Sequence, residues 1–195
     1  MKKIILPLFV LFVFIQSNVA IAQNQFETEG VIVPRTIEFE NKTLQLNGFG
    51  TRSKMWVDVY VQALYLTSLS QEAKYILDGD TEMGIRIQIL SNLVSSKKLT
   101  KALNNGMEKS VGKENMKQFE SQVILLESLL STEETRKGDA FNLIYNPTDT
   151  SIWVYKNNKF EGKIPGFEFK KAFFGIWLSN NPVDADLKND LLGKF

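Results

Sequence analysis

Cysteine and histidine are both absent from the 195 residues. Without cysteine the chain has no disulfide framework, no thiolate nucleophile and no sulfur-ligated metal. Without histidine it lacks the side chain whose ordinary pKa lies near neutrality, and with it the usual general base and the commonest metal ligand. Ser-His-Asp hydrolysis, Cys-His proteolysis and typical zinc hydrolysis are thereby excluded. An excess of one charge is missing too, since 23 Lys and Arg stand against 22 Asp and Glu. Such a balance offers no footprint for nucleic acid. No Pro/Gly/Ser-rich linker, charge block or internal repeat divides the chain. Asp78 and Asp80 flank Gly79 without the ligand spacing of a calcium loop. Neither a metal nor a cofactor is expected.

What is present begins with Met1, Lys2 and Lys3, an apolar stretch from Ile4 to Ile15, and Ala20-Ile21-Ala22 before Gln23. A basic start, a short apolar core and a small-x-small site form the pattern of a secretory signal peptide. The expectation is a signal over residues 1–22, export to the periplasm or beyond, and one domain over residues 23–195. The apolar run is too short to span a bilayer, which takes about 20 apolar residues. No stable membrane span is therefore expected after cleavage. With Lys2 and Lys3 removed, the balance moves from one excess positive charge to one excess negative.

Along the remaining chain the hydrophobic period changes several times. Thr36 to Phe39 and Leu44 to Leu46 are short β-prone pieces around Asn41-Lys42, and Gly48-Phe49-Gly50 allows a bend. Lys54 to Leu66 reads as one long strand, with Trp56, Tyr60 and Gln62 on one face. Gln71 to Leu77 suggests a short helix and Gly84 to Ile89 a strand. Ser95 or Ser96 can cap a helix whose stripe is Leu99, Leu103, Met107 and Val111, with Gly112 as its stop. A second helix is expected from Asn115 through Leu130. Ala140–Tyr145, Ser151–Tyr155 and Lys159–Ile164 then alternate with period two between turn residues, which predicts a three-stranded meander. An apolar helix follows from Gly166 to Leu178, and Asp184 caps a last amphipathic one. Strands, helices, strands and helices in blocks predict an α+β domain with a mainly antiparallel sheet.

Three stretches carry a resemblance to the chalcone isomerase-like family. They are Leu46-Asn-Gly-Phe-Gly-Thr-Arg52 with Val59 to Leu66; Lys137 to Phe141 with Tyr145-Asn-Pro147; and Gly162 to Gly166 through Ile176-Trp-Leu178 to Lys188. The sequence is most similar to the small exported bacterial branch. The resemblance implies an open-faced sandwich: a large antiparallel sheet, a layer of helices on one face, and a ligand cleft between them. Some members of that family close chalcones to flavanones, while relatives without that activity bind fatty acids.

In the binders a carboxylate is held by an Arg after the Gly-rich turn and by a Tyr on the following strand. Those positions resemble Arg52 and Tyr60, with Tyr65 the neighbouring candidate if the register differs. The residue types suit the task, because a guanidinium fork bonds a carboxylate bidentately and a phenol adds a third donor. Trp56, Asn105, Ile176 and Trp177 are candidate pocket-lining residues. The polar groups of the enzymes are largely changed: a Thr position carries Tyr60, a Tyr position falls at Lys98, and a later Thr falls at Ile176. The enzyme Asn is matched by Asn105, or by Asn104 after a slip of one residue. The expected function is binding of a small apolar carboxylic acid, fatty-acid-like, with no catalytic residue assigned. The alternatives are an isomerase or intramolecular lyase acting on a phenolic or acyl substrate, and a structural or partner-binding domain whose cleft is filled by side chains.

Overall fold

The computed structural model describes residues 25–194. The signal segment expected over residues 1–22 lies outside the described residues. The chain opens with a small hairpin, β1 (Gln25–Thr28) and β2 (Val31–Pro34), turned through Glu29-Gly30 at positive φ. The sheet follows: β3 (Thr36–Phe39), β4 (Lys42–Lys54), β5 (Val57–Leu66), β6 (Met83–Ile89), β7 (Ala140–Asn146), β8 (Ser151–Lys156) and β9 (Lys159–Pro165). Each strand pairs antiparallel with its sequence neighbour, so the spatial order is the chain order.

Helices enter at two breaks in this meander and after its end. Between β5 and β6 lies α1 (Ala73–Asp78). Between β6 and β7 lie α2 (Ser96–Val111), a 3₁₀ segment (Lys113–Phe119) and α3 (Glu120–Leu130). Last come α4 (Phe167–Leu178) and α5 (Ala185–Leu191). All pack on one sheet face, where Leu64, Ile85, Ile87, Leu143, Ile152 and Val154 meet Leu99, Leu103 and Met107 of α2 and Phe173 and Trp177 of α4. Each such side chain, fully buried, contributes about 1.5–3 kcal/mol, which makes this layer the main source of stability. The alternate residues Val61, Ala63 and Tyr65 face the other way, into a smaller core with Val31, Val33, Phe39, Leu44 and Ile144. The α+β sandwich expected from the sequence is the observed architecture.

Three local expectations are corrected. Lys54 to Leu66 is not one strand: the chain reverses at Met55-Trp56, and the long strand before it is β4. Gly48 and Gly50 do not form a bend; they lie within β4, where a β-carbon would stand 2.1 Å from the Asp190 carbonyl oxygen and 2.3 Å from the Asp190 carboxylate. The glycines let α5 lie directly on the strand. Asn115 does not open the second α-helix: it lies in the 3₁₀ segment, where its Nδ2 donates to the Val111 carbonyl at 2.7 Å at the end of α2, and α3 begins only at Glu120.

Lys170 breaks the apolar run of α4 and is wholly buried. Its ammonium donates to the carbonyls of Ile76, Leu77 and Gly79 at 3.1, 2.8 and 2.8 Å, closing the C-terminal end of α1. Burial pushes its pKa down to about 8, which leaves it charged at neutral pH.

Candidate functional site

The β4–β5 hairpin brings two sequence-distant side chains into register. Arg52 lies directly opposite Tyr60, and a bulge next to this pair leaves Val59 outside the ladder. Directly opposed residues share a sheet face, so both side chains point toward the helices. The next pair, Ser53 and Asp58, faces the other way, with the serine hydroxyl donating to the carboxylate.

Two helices then fix the ends of these side chains. Asp184 caps α5, accepting from the backbone N–H groups of Asp186 and Leu187, and its other oxygen accepts from Arg52 Nη1 at 2.7 Å. Nη1 also donates to the Ser53 carbonyl. Nε and Nη2 remain as donors without a partner among the described residues. From α4, Trp177 Nε1 donates to the Tyr60 hydroxyl oxygen at 3.2 Å. Burial raises the Tyr60 pKa, although the Trp177 bond and the nearby Arg52 charge work against that shift. The phenol therefore stays neutral; its oxygen accepts from the indole, and its own proton is free to be donated.

These groups border a cleft of about 790 Å³ between the hairpin, α2 and α4. Val57 and Val59 of β5, Leu99 and Leu103 of α2 and Ile176 and Trp177 of α4 give it apolar walls, and Asn105 joins the α2 wall. Gly106 allows the two helices to meet there, since a β-carbon would stand 2.7 Å from Ile176 Cγ2. Besides Arg52, the charged lining is Lys54, Lys98, Lys101 and Lys109, with no carboxylate in it.

Of the residues expected at the site, Arg52, Tyr60, Asn105, Ile176 and Trp177 are brought together. Tyr65 and Trp56 are not. Tyr65 is five residues on from Tyr60, an odd step along β5, so it projects from the opposite sheet face, fully buried, with its hydroxyl donating to the Pro34 carbonyl at 2.9 Å. Trp56 occupies the hairpin turn and is fully exposed. Asn104, the alternative to Asn105, faces away from the cleft and donates to Glu127. Among the described residues no group of His, Cys, Asp or Glu is arranged to hold a metal, and no helix is long and apolar enough to cross a membrane. Sequence reasoning missed Asp184 as the partner of Arg52, although the capping signal that fixes it was legible. It also missed Lys54, Lys101 and Lys109 around the cleft; for the last two, their spacing along α2 with the already matched Lys98 is the signal.

A family model described as chalcone isomerase-like matches residues 25–193, almost the whole described chain. The chain belongs to the chalcone isomerase-like family. No curated protein sequence matches it. Among solved structures, this chalcone isomerase-like chain is similar to the crystal structure of an Arabidopsis thaliana fatty-acid binding protein, with a TM-score of 0.65 and 16% identity. That match covers 84% of this chain and 92% of the other, and at this identity it establishes the shared fold. Tyr60, Lys98, Asn105 and Ile176, the positions that the family resemblance matched to the polar groups of its enzymes, all border the one cleft with Arg52.

Proposed function

We propose that this chalcone isomerase-like protein binds a single-chain carboxylic acid of the fatty-acid kind, its chain in the cleft and its carboxylate against Arg52 and Tyr60. The observation that carries the reading is an apolar cleft of about 790 Å³ with a guanidinium and a neutral phenol side by side at its edge. Its size falls in the range of small-molecule sites, roughly 300–1,000 Å³. The name of the Arabidopsis neighbour agrees with this reading. Cyclisation of a chalcone would draw on several preplaced polar donors for the developing enolate. At the positions where the resemblance puts those donors, Ile176 carries no polar atom, and Tyr60 and Lys98 carry groups other than the enzymes' Thr and Tyr. The enzyme constellation is not reproduced, and binding is the better-supported reading. The Lys2-Lys3 start and the Ala20-Ile21-Ala22 site support export as part of the same proposal.

Native mass spectrometry of protein isolated from its own cells tests both parts. The expected species begins at Gln23 and carries one non-covalent fatty acid that organic solvent releases. Protein that is empty and takes up no palmitate would sink the ligand reading, whereas a Met1 start would sink only the export reading.

A further inference from the structure

At the edge of the Arg52–Tyr60 cleft, the β4–β5 hairpin ends in a turn made of Met55 and Trp56. Both have positive φ, 49° and 66°. This left-handed conformation is unfavourable for residues with a β-carbon and is normally given to Asn, Asp or Gly in such turns. The β8–β9 turn has the usual occupants, Asn157 and Asn158, at φ 50° and 66°. Nothing offsets the local cost at Met55 and Trp56 through packing, because they are 83% and 103% exposed. Leu93, which lines the same opening as Met55, is 63% exposed. Lys54, Lys98 and Lys101 also line that opening, and no carboxylate does. The one acidic residue between Gly50 and Gln71 is Asp58, which is bonded to Ser53 on the opposite face of the hairpin.

We propose that this end of the molecule docks on an anionic phospholipid surface, with Met55 and Trp56 entering the headgroup region and Lys54, Lys98 and Lys101 lying over the phosphates. Tryptophan favours the membrane–water interface, and a lysine close to an anionic leaflet strengthens partitioning about fivefold. Charge complementarity selects this occupant, since a collar of like charge around an apolar tip suits a negatively charged plane into which the tip can sink. A stable protein partner would need a flat patch of roughly 800 Å², which a projecting two-residue tip does not supply. Docked this way, the cleft opens against lipid, so an acyl chain can enter it without crossing water. That last consequence rests on the fatty-acid reading above; the docking does not.

Vesicles of phosphatidylcholine alone, and of equal parts phosphatidylcholine and phosphatidylglycerol, test the proposal without any added fatty acid. The readout is local: the fluorescence of Trp56, taken as the difference between wild type and Trp56→Phe, with lipids brominated near the headgroup as quenchers. The expected result is a blue shift and quenching of Trp56 on the anionic vesicles and little of either on the neutral ones. Lys101→Ala should lower partitioning about fivefold, and Trp56→Ala about tenfold. Trp56→Ala should leave fatty-acid binding in solution unchanged, so failure of this proposal is distinct from failure of the ligand reading. Trp56 emission that ignores anionic vesicles would overturn the proposal. Emission that shifts with protein concentration in the absence of lipid would overturn it equally, by making the tip a contact between copies of the chain.

Discussion

Arg52 has a carboxylate of its own protein within reach before any ligand arrives. Asp184 takes Nη1 at 2.7 Å, and the two side chains are 24% and 20% exposed. The pair is part-buried, so its attraction is only partly screened, but the cost of taking both charges out of water offsets much of that gain and leaves a small net contribution. A ligand carboxylate can share or displace it. Asp184→Asn separates the roles of this residue, because asparagine caps a helix about as well as aspartate while losing the competing charge. The variant is expected to bind a fatty acid roughly fivefold more tightly by calorimetry, which corresponds to about 1 kcal/mol of released pairing. Unchanged or weaker binding would mean that Asp184 holds Arg52 in its productive position. Tyr60 complements this arrangement, since its oxygen is occupied by Trp177 and only its proton is left for an acceptor.

At the scale of elements, the site depends on how closely α5 lies on β4. A β-carbon at position 48 would sit 2.1 Å from the Asp190 carbonyl oxygen and 2.7 Å from that of Leu191, both backbone atoms that cannot step aside. Gly48→Ala should therefore lift α5, carrying Asp184 away from Arg52. The expected loss is about 1–3 kcal/mol, read as a clear fall in melting temperature; an unchanged melting temperature would show that α5 is not held by this contact. Elements with ordinary local chemistry were legible in the sequence: α2 from its serine cap and apolar stripe, α5 from Asp184, and β7 to β9 from their Asn-rich turns. The β4–β5 reversal was not, because Met55-Trp56 carries no turn residue and the Val- and Tyr-rich run continues past it. The β1–β2 hairpin also went unassigned, being only four residues a strand.

Over the whole molecule, a meander whose strands follow chain order presents one face to the helices, and the cleft lies where the β4–β5 hairpin meets α2 and α4. The pairing of Arg52 with Tyr60 was legible only through the family resemblance, because the single strand read from Lys54 to Leu66 excludes Arg52; it is registration across the hairpin that puts both on one sheet face. The Arg52–Asp184 contact spans 132 residues and left no local trace. Tyr65 was separable from Tyr60 only once the face of β5 turned toward the helices was known. The central claim is that the cleft recognises a carboxylate through Arg52. Calorimetric titration of a fatty acid and of its alcohol into wild type and Arg52→Ala, with melting temperatures alongside, tests it most directly. A charge-assisted hydrogen bond is worth about 1.5–3 kcal/mol, so the variant should lose about tenfold or more in affinity for the acid, bind the alcohol as before, and melt near the wild-type temperature. Equal losses for acid and alcohol, or an effect confined to the melting temperature, would contradict the account and make Arg52 a structural residue.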